Sequence, residues 1–238
     1  MTITEFLIAT IAVVLGSFVQ VVSGVGGGFI VVPVLAMIDL TLVPAPLIFA
    51  SLSLSTLMAL REYQHIDRLH LPATLIGMFP GAIIGGWLLT VMAYDKLGIV
   101  FGIVVLLAIL ITAFGPRLTL NRTTAMMTGS VSGVMGASTG IGAPPLALIY
   151  QYASGPTLRA TLGALYTGAS LLILAILFAF GKFRLAELQS GLQLVPGFVL
   201  GYWIANRFTP RMNPRYSRLA VLIVSAAAAV LLIARSAF

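Results

Sequence analysis

Apolar runs dominate the chain, at about 3–22, 28–38, 42–60, 71–93 and 97–114, and again at about 123–137, 144–153, 158–181, 186–206 and 215–235. The polar stretch Gly-Pro-Arg-Leu-Thr-Leu-Asn-Arg, ending at Arg122, separates the two series. A helix that crosses a bilayer needs about 20 residues. Most runs qualify, but 28–38 and 144–153 are much too short, and each follows a glycine-rich break. Nothing in the pattern resembles a soluble domain, a long linker or a low-complexity tail.

The first break lies in Ser-Gly-Val-Gly-Gly-Gly-Phe-Ile-Val-Val-Pro, from Ser23 to Pro33, with Gly24, Gly26, Gly27 and Gly28 inside five residues. Glycine costs a helix interior about 1 kcal/mol against alanine. A plain spanning helix would not use this string. Either the chain breaks here for a purpose, or its backbone approaches something closely. The second break is Ser-Thr-Gly-Ile-Gly-Ala-Pro-Pro, Ser138 to Pro145.

The two series read as one unit repeated at an offset of 116 residues. Gly24 and Gly26 match Gly140 and Gly142, Arg68-Leu69 matches Arg184-Leu185, and Pro80-Gly81, Gly85 and Trp87 match Pro196-Gly197, Gly201 and Trp203. The predicted units are 1–116 and 117–238. If the first two segments of each unit span together, the copies are parallel and Lys plus Arg divide seven to six between the sides. If they form a hairpin that enters and leaves on one side, the second copy is inverted. Arg61, Arg68, Arg117, Arg122, Arg159, Arg207, Arg211, Arg215 and Arg218 then share one side, against Lys96, Lys182, Arg184 and Arg235. Nine against four obeys the positive-inside rule and makes the first side cytoplasmic. The expected fold is therefore all-α and polytopic. It comprises two inverted repeats, each of one re-entrant helical hairpin plus three transmembrane helices, a frequent transporter design.

Composition agrees: 60% of the 238 residues are hydrophobic and 8% charged, against about 25% charged in soluble domains. The chain is read as an integral membrane protein, with the bilayer as its surroundings. Its net charge of +7 is assigned to basic cytoplasmic loops rather than to nucleic acid. With no Cys, disulfides and thiol chemistry are excluded. The first segment lacks the basic leader of a secretory signal and carries Glu5, so it is expected to be a retained helix.

Irregular backbone at membrane depth is tolerated only inside protein or along a wet cavity. The two tips are therefore expected to meet near the midplane. Each opens a short helix, whose first N–H groups and positive dipole end attract anions. The candidate substrate-binding residues are Ser23, Gly24, Gly26, Gly27 and Gly28 at one tip and Ser138, Thr139, Gly140 and Gly142 at the other. Ser51, Tyr166 and Thr167 join them from neighbouring spans. These glycines otherwise serve close helix packing, and the hydroxyls otherwise bond back to their own helices. Valine at Gly27 or Gly140 is expected to fill the anion's space. Gln20 and Gln151 lie near the hairpins, where an amide either binds substrate or closes a backbone gap, and Arg159 begins a span, where it either attracts anions or snorkels. Arg61, Glu62, His65, Asp67, Arg68 and His70 form a polar loop, read as a solvated connection, with a gate as the alternative. No Asp, Glu, Lys or His falls in the middle of a span, which argues against a carboxylate proton relay. It also leaves no nucleophile, base or metal set for an intramembrane enzyme. No cofactor and no metal is expected.

The string Ser23 to Leu35, together with Gly140-Ile-Gly-Ala-Pro-Pro145, resembles the TauE/SafE family of sulfite and organosulfonate exporters. The likeness extends over the whole chain as two related halves, with Ala143 standing where a further glycine is expected. The resemblance implies transport of small sulfur-containing anions, such as sulfite, thiosulfate, sulfoacetate or related organosulfonates, across the bacterial inner membrane. A passive anion channel, a carrier of small carboxylates and a membrane assembly protein are the alternatives.

Overall fold

The computed structural model describes residues 2–115, 118–208, 226–227 and 229–234. Every regular element among them is helical. The α-helices are α1 (Ile3–Ser23), α2 (Gly27–Ile38), α3 (Ala45–Arg61), α4 (Leu71–Val91), α5 (Tyr94–Phe114), α6 (Arg122–Thr139), α7 (Ala143–Ile149), α8 (Gly155–Ala179) and α9 (Leu185–Phe208). Residues 226–227 and 229–234 are helical too. They are the described part of the predicted run 215–235.

Helices α1, α4 and α8, with Lys96–Phe114 of α5, are long and apolar enough to cross a membrane. The surface is apolar: Phe6, Ile76, Phe79, Leu107, Leu171 and Phe178 are all exposed. The interior holds hydroxyls, among them Ser17, Thr74, Ser132, Thr139 and Thr161. Water would penalise that arrangement, whereas lipid favours it. This is a multi-pass membrane protein. Buried hydroxyls are satisfied locally, as where Ser17 Oγ donates to the Val13 carbonyl at 2.6 Å and Thr139 Oγ1 to that of Met135 at 2.8 Å.

Glycine seams set the packing. Along α4, Gly77, Gly81 and Gly85 lie against the carbonyls of Met126, Ser130 and Val134 of α6. The residue numbers rise together, so the two helices run the same way. A methyl at Gly81 would overlap the Ser130 carbonyl, so the backbones touch as in other small-residue membrane contacts. Helices α1 and α9 also run the same way, with Gly197 against Val13 and Gly201 against Ser17. The 116-residue correspondence turns α4 into α9 and α6 into α1, so one pairing of helices occurs twice with the halves exchanged. Helix α3 lies antiparallel to α8, with Gly163 against Met58 and Ala59.

These directions define two ends of the bundle. One carries Arg61, the 62–70 loop, the starts of α6 and α8, and the end of α9. Arg61, Arg68, Arg122, Arg159 and Arg207 therefore gather there. The other end carries the starts of α3 and α9, where the rings of Phe49 and Phe183 sit 6.0 Å apart. Lys96, Lys182 and Arg184 lie there. Arg117, Arg211, Arg215, Arg218 and Arg235 lie outside the described residues.

Candidate functional site

Helix α1 starts on a capping box between Thr2 and Glu5 and stops at Gly24, whose φ of 82° is left-handed. Gly26, at φ 102°, caps α2. Two left-handed residues in three reverse the chain, a geometry that L side chains resist. Helix α2 then folds back on α1, with Gly27 packed against Gly16 and Gln20. The second reversal uses one left-handed residue: α6 ends at Gly140, φ 80°, and Gly142, at φ −106°, caps α7. The two turns touch. A methyl on Gly28 would stand 3.4 Å from Ile141 Cγ1 and 3.9 Å from the Gly140 carbonyl oxygen.

A cavity of about 90 Å³ opens where they meet. A single water needs roughly 10–15 Å³ of such space, so several waters or one small oxyanion fit. Of the predicted site residues, Gly26, Gly27, Gly28, Ser51, Gly140, Gly142 and Tyr166 line it, whereas Ser23, Gly24, Ser138, Thr139 and Thr167 do not. The absent hydroxyls are committed elsewhere. Ser23 Oγ donates to the Val19 and Val25 carbonyls, Ser138 Oγ to Val134, and Thr167 Oγ1 to Gly163. Gly24 serves the turn, and its carbonyl accepts the Tyr166 hydroxyl at 3.3 Å.

Donor supply is unequal. The N–H groups of Gly27 and Gly28, in the first turn of α2, meet no acceptor among the described residues. In α7 only Ala143 of the first three residues has an N–H, because Pro144 and Pro145 have none. That helix is also just seven residues long, so its dipole is small. Two further side chains add polarity: Gln20, for which the sequence left substrate binding open, and Ser170, which it did not single out. Gln20 and Ser170 both line the cavity, and neither side chain hydrogen-bonds to another described residue. Gln20 stands four residues before Gly24 on α1, a spacing that gave a usable signal. Ser170 and Ser132, which also lines the cavity, offered none. Ser132 Oγ donates to the Gly142 carbonyl at 2.5 Å and ties the second turn to α6. Among the described residues, none that lines the cavity is charged, and no cluster of three or more His, Asp or Glu suited to a metal occurs.

The valine expectation needs correcting at both positions. A side chain at Gly27 meets Gln20 Oε1 at 2.5 Å and the Gly16 carbonyl oxygen at 2.7 Å, and one at Gly140 requires a left-handed backbone. Both would disturb packing before they filled the cavity.

At the arginine-rich end, the 62–70 loop is joined to the second half. Asp67 accepts from the Leu69 and His70 N–H groups and from Tyr150 Oη at 3.3 Å, and pairs with His70 Nδ1 at 2.8 Å. Its own N–H donates to Thr161 Oγ1 at 2.9 Å. Burial works against the Asp67 charge, yet the His70 and Leu69 contacts outweigh it and hold the carboxyl below its ordinary value. Burial first, and then the Asp67 charge, push the Tyr150 phenol well up. Arg159 forks onto Glu62, Nη2 to Oε1 at 2.6 Å and Nε to Oε2 at 3.2 Å. This loop is therefore not simply solvated.

Known proteins share this sequence pattern. The family described as "Sulfite exporter TauE/SafE" matches residues 8–232. A "Probable sulfite/organosulfonate exporter TauE" of Cupriavidus necator is 28% identical over 218 residues, covering 85% of this chain and 84% of the relative. No solved structure matches the chain. With nearly its whole length matched, the chain belongs to the sulfite exporter TauE/SafE family of membrane transporters.

Proposed function

We propose that this protein is a secondary transporter of small sulfur oxyanions, sulfite or an organosulfonate, which it binds in the cavity between the two glycine turns. The observation that carries the reading is the cavity itself. Among the described residues its lining is uncharged, and it is lined from one side by Gly27 and Gly28, whose N–H groups meet no acceptor there, and from the other by Gly140 and Gly142. Helix N-termini bind anions without a buried Lys or Arg. A neutral site also lets the anion leave, as a conducting site must. In this reading the Gln20 amide and the Ser170 hydroxyl orient the oxygens. The relative's name supplies the sulfur chemistry.

Residues 1–116 and 117–238 act as two inverted units, each with a hairpin, α1–α2 or α6–α7, that enters from its own side. Support comes from α6 starting beside the start of α4 while Tyr150, just past α7, returns to Asp67 ahead of α4. Likewise Gly24, between α1 and α2, reaches Leu158 and Arg159 at the arginine-rich end. That end faces the cytoplasm by the positive-inside rule, and alternating access is a rocking of one unit on the other. The test is a thermal-shift panel of sulfite, thiosulfate, sulfoacetate, taurine and simple carboxylates, followed by counterflow in proteoliposomes. A ligand of the folded state raises Tm. Stabilisation by sulfite or a sulfonate with saturable counterflow is expected. Stabilisation by carboxylates alone, or flux without counterflow, defeats the reading.

A further inference from the structure

We propose that Arg61, Glu62 and Arg159 form a second anion site at the arginine-rich mouth, where the Glu62 carboxylate is the resident anion and an arriving oxyanion replaces it. The inference rests on the transport reading above and adds a specific point of entry. Arg159 presents a planar fork to Glu62 through Nε and Nη2. Such a fork takes any carboxylate-like or sulfonate-like pair of oxygens. The cluster is short of negative charge. Arg61 Nε also approaches Glu62 Oε1, at 4.0 Å, so two guanidinium groups share one carboxylate. Arg61 Nη1 is buried with no acceptor, the sole such side-chain atom among the described residues. Asp67, the other carboxylate of this loop, is engaged with His70, Tyr150 and its own loop instead. An unmet donor beside an already shared anion is a place where a second oxyanion is stabilised.

Exchange there has a mechanical consequence. Glu62 caps α3 and Arg159 lies in the first turns of α8, 97 positions away, so the pair ties the two halves together. The stems of Leu158 and Arg159 rest on Gly24, whose carbonyl holds the hydroxyl of Tyr166, a residue lining the central cavity. When the anion takes Arg159 from Glu62, it removes one tie between α8 and the end of α3, at the point that covers the first turn, while Thr161 still holds the Asp67 N–H. The incoming substrate thus releases the closure over its own path.

Removing either partner of a purely structural ion pair should harm transport in the same sense. Here the two partners act in opposite senses. Sulfite uptake is measured in proteoliposomes sorted into both orientations. Glu62→Gln should lower the KM for sulfite offered to the arginine-rich end by about ten-fold, and Arg159→Gln should raise it by about as much. Arg159→Lys, which keeps the charge but loses the fork, should fall between wild type and Arg159→Gln. The KM from the opposite end should shift by one and the same factor in both glutamine variants, because each breaks the tie between α8 and α3. KM shifts of the same sign at the arginine-rich end in Glu62→Gln and Arg159→Gln, no shift there, or opposite-end shifts that differ between the two variants would overturn the proposal. Should Arg159→Gln not fold, the sign of the Glu62→Gln shift alone decides. A wild-type protein that carries no sulfite in either orientation would instead overturn the transport reading, and this proposal with it.

Discussion

Replacing Gly28 by alanine and then by valine grades the space between the two turns. Gly28 is the favourable position because the backbone there is not left-handed and an added Cβ meets Ile141 and the Gly140 carbonyl oxygen only at ordinary contact, 3.4 and 3.9 Å. Alanine is also about 1 kcal/mol better than glycine in a helix, so Gly28→Ala should fold at least as well as wild type. Valine adds two more carbons inside a cavity of about 90 Å³. They must occupy the volume in front of the Gly27 and Gly28 N–H groups. A hydrogen bond to a charged partner contributes about 1.5–3 kcal/mol. Losing two of them costs about 3–6 kcal/mol, which is at least a hundred-fold in Kd. The assay is sulfite titration of the purified variants by calorimetry, with size-exclusion elution as the check on folding. A folded Gly28→Val protein that binds and carries sulfite like wild type would refute the placement of the anion. Gly27→Val gives the contrast: its collision with Gln20 and the Gly16 carbonyl should lower Tm.

Gln20→Ala and Ser170→Ala should each weaken sulfite binding about ten-fold while leaving Tm nearly unchanged, because neither side chain hydrogen-bonds within the described chain. Gly81→Ala should lower Tm by roughly 2–12 °C, since the methyl overlaps the Ser130 carbonyl and overpacking costs about 1–3 kcal/mol; an unchanged Tm would mean the α4–α6 seam is looser than drawn. Asp67 is held below its ordinary carboxyl value of 3.8. Its contribution to stability is therefore complete above that value and lost as pH falls through the lower folded value. Asp67→Asn should flatten this acid limb of a Tm-against-pH curve, and an unchanged limb would assign it to other groups.

Much of the fold was legible because lipid and glycine leave strong marks. Runs of about 20 apolar residues read as spans, and the reversals at Gly24–Gly26 and Gly140–Gly142 were visible as glycine clusters before undersized helices. The four glycines from Gly24 to Gly28 looked equivalent in sequence, yet they do different work. Gly24 and Gly26 turn the chain, Gly27 lets α2 lie on Gln20 and Gly16, and Gly28 faces the cavity. Sequence spacing cannot separate these roles, because they depend on which side of a turn a neighbouring helix lies. The hydroxyls of Ser23, Ser138 and Thr139 were read as donors to substrate, but a serine or threonine near a helix end has a carbonyl one turn back within reach, and all three use it. The shortage of donors in α7 was readable from Pro144 and Pro145 alone. What no local pattern carries is pairing across the halves. Arg159 with Glu62, and Tyr150 with Asp67, join residues 97 and 83 positions apart, and only the packing of one half of the chain on the other brings them together.

The central claim is that the anion sits between the two glycine turns. Anomalous diffraction from crystals grown with selenite, a heavier analogue of sulfite, tests it most directly, and a chain without cysteine has no thiol for selenite to attack. The expected result is a selenium peak within hydrogen-bonding reach of the Gly27 and Gly28 N–H groups and beside Gln20 and Ser170. Selenium found only elsewhere, with that cavity empty, would contradict it.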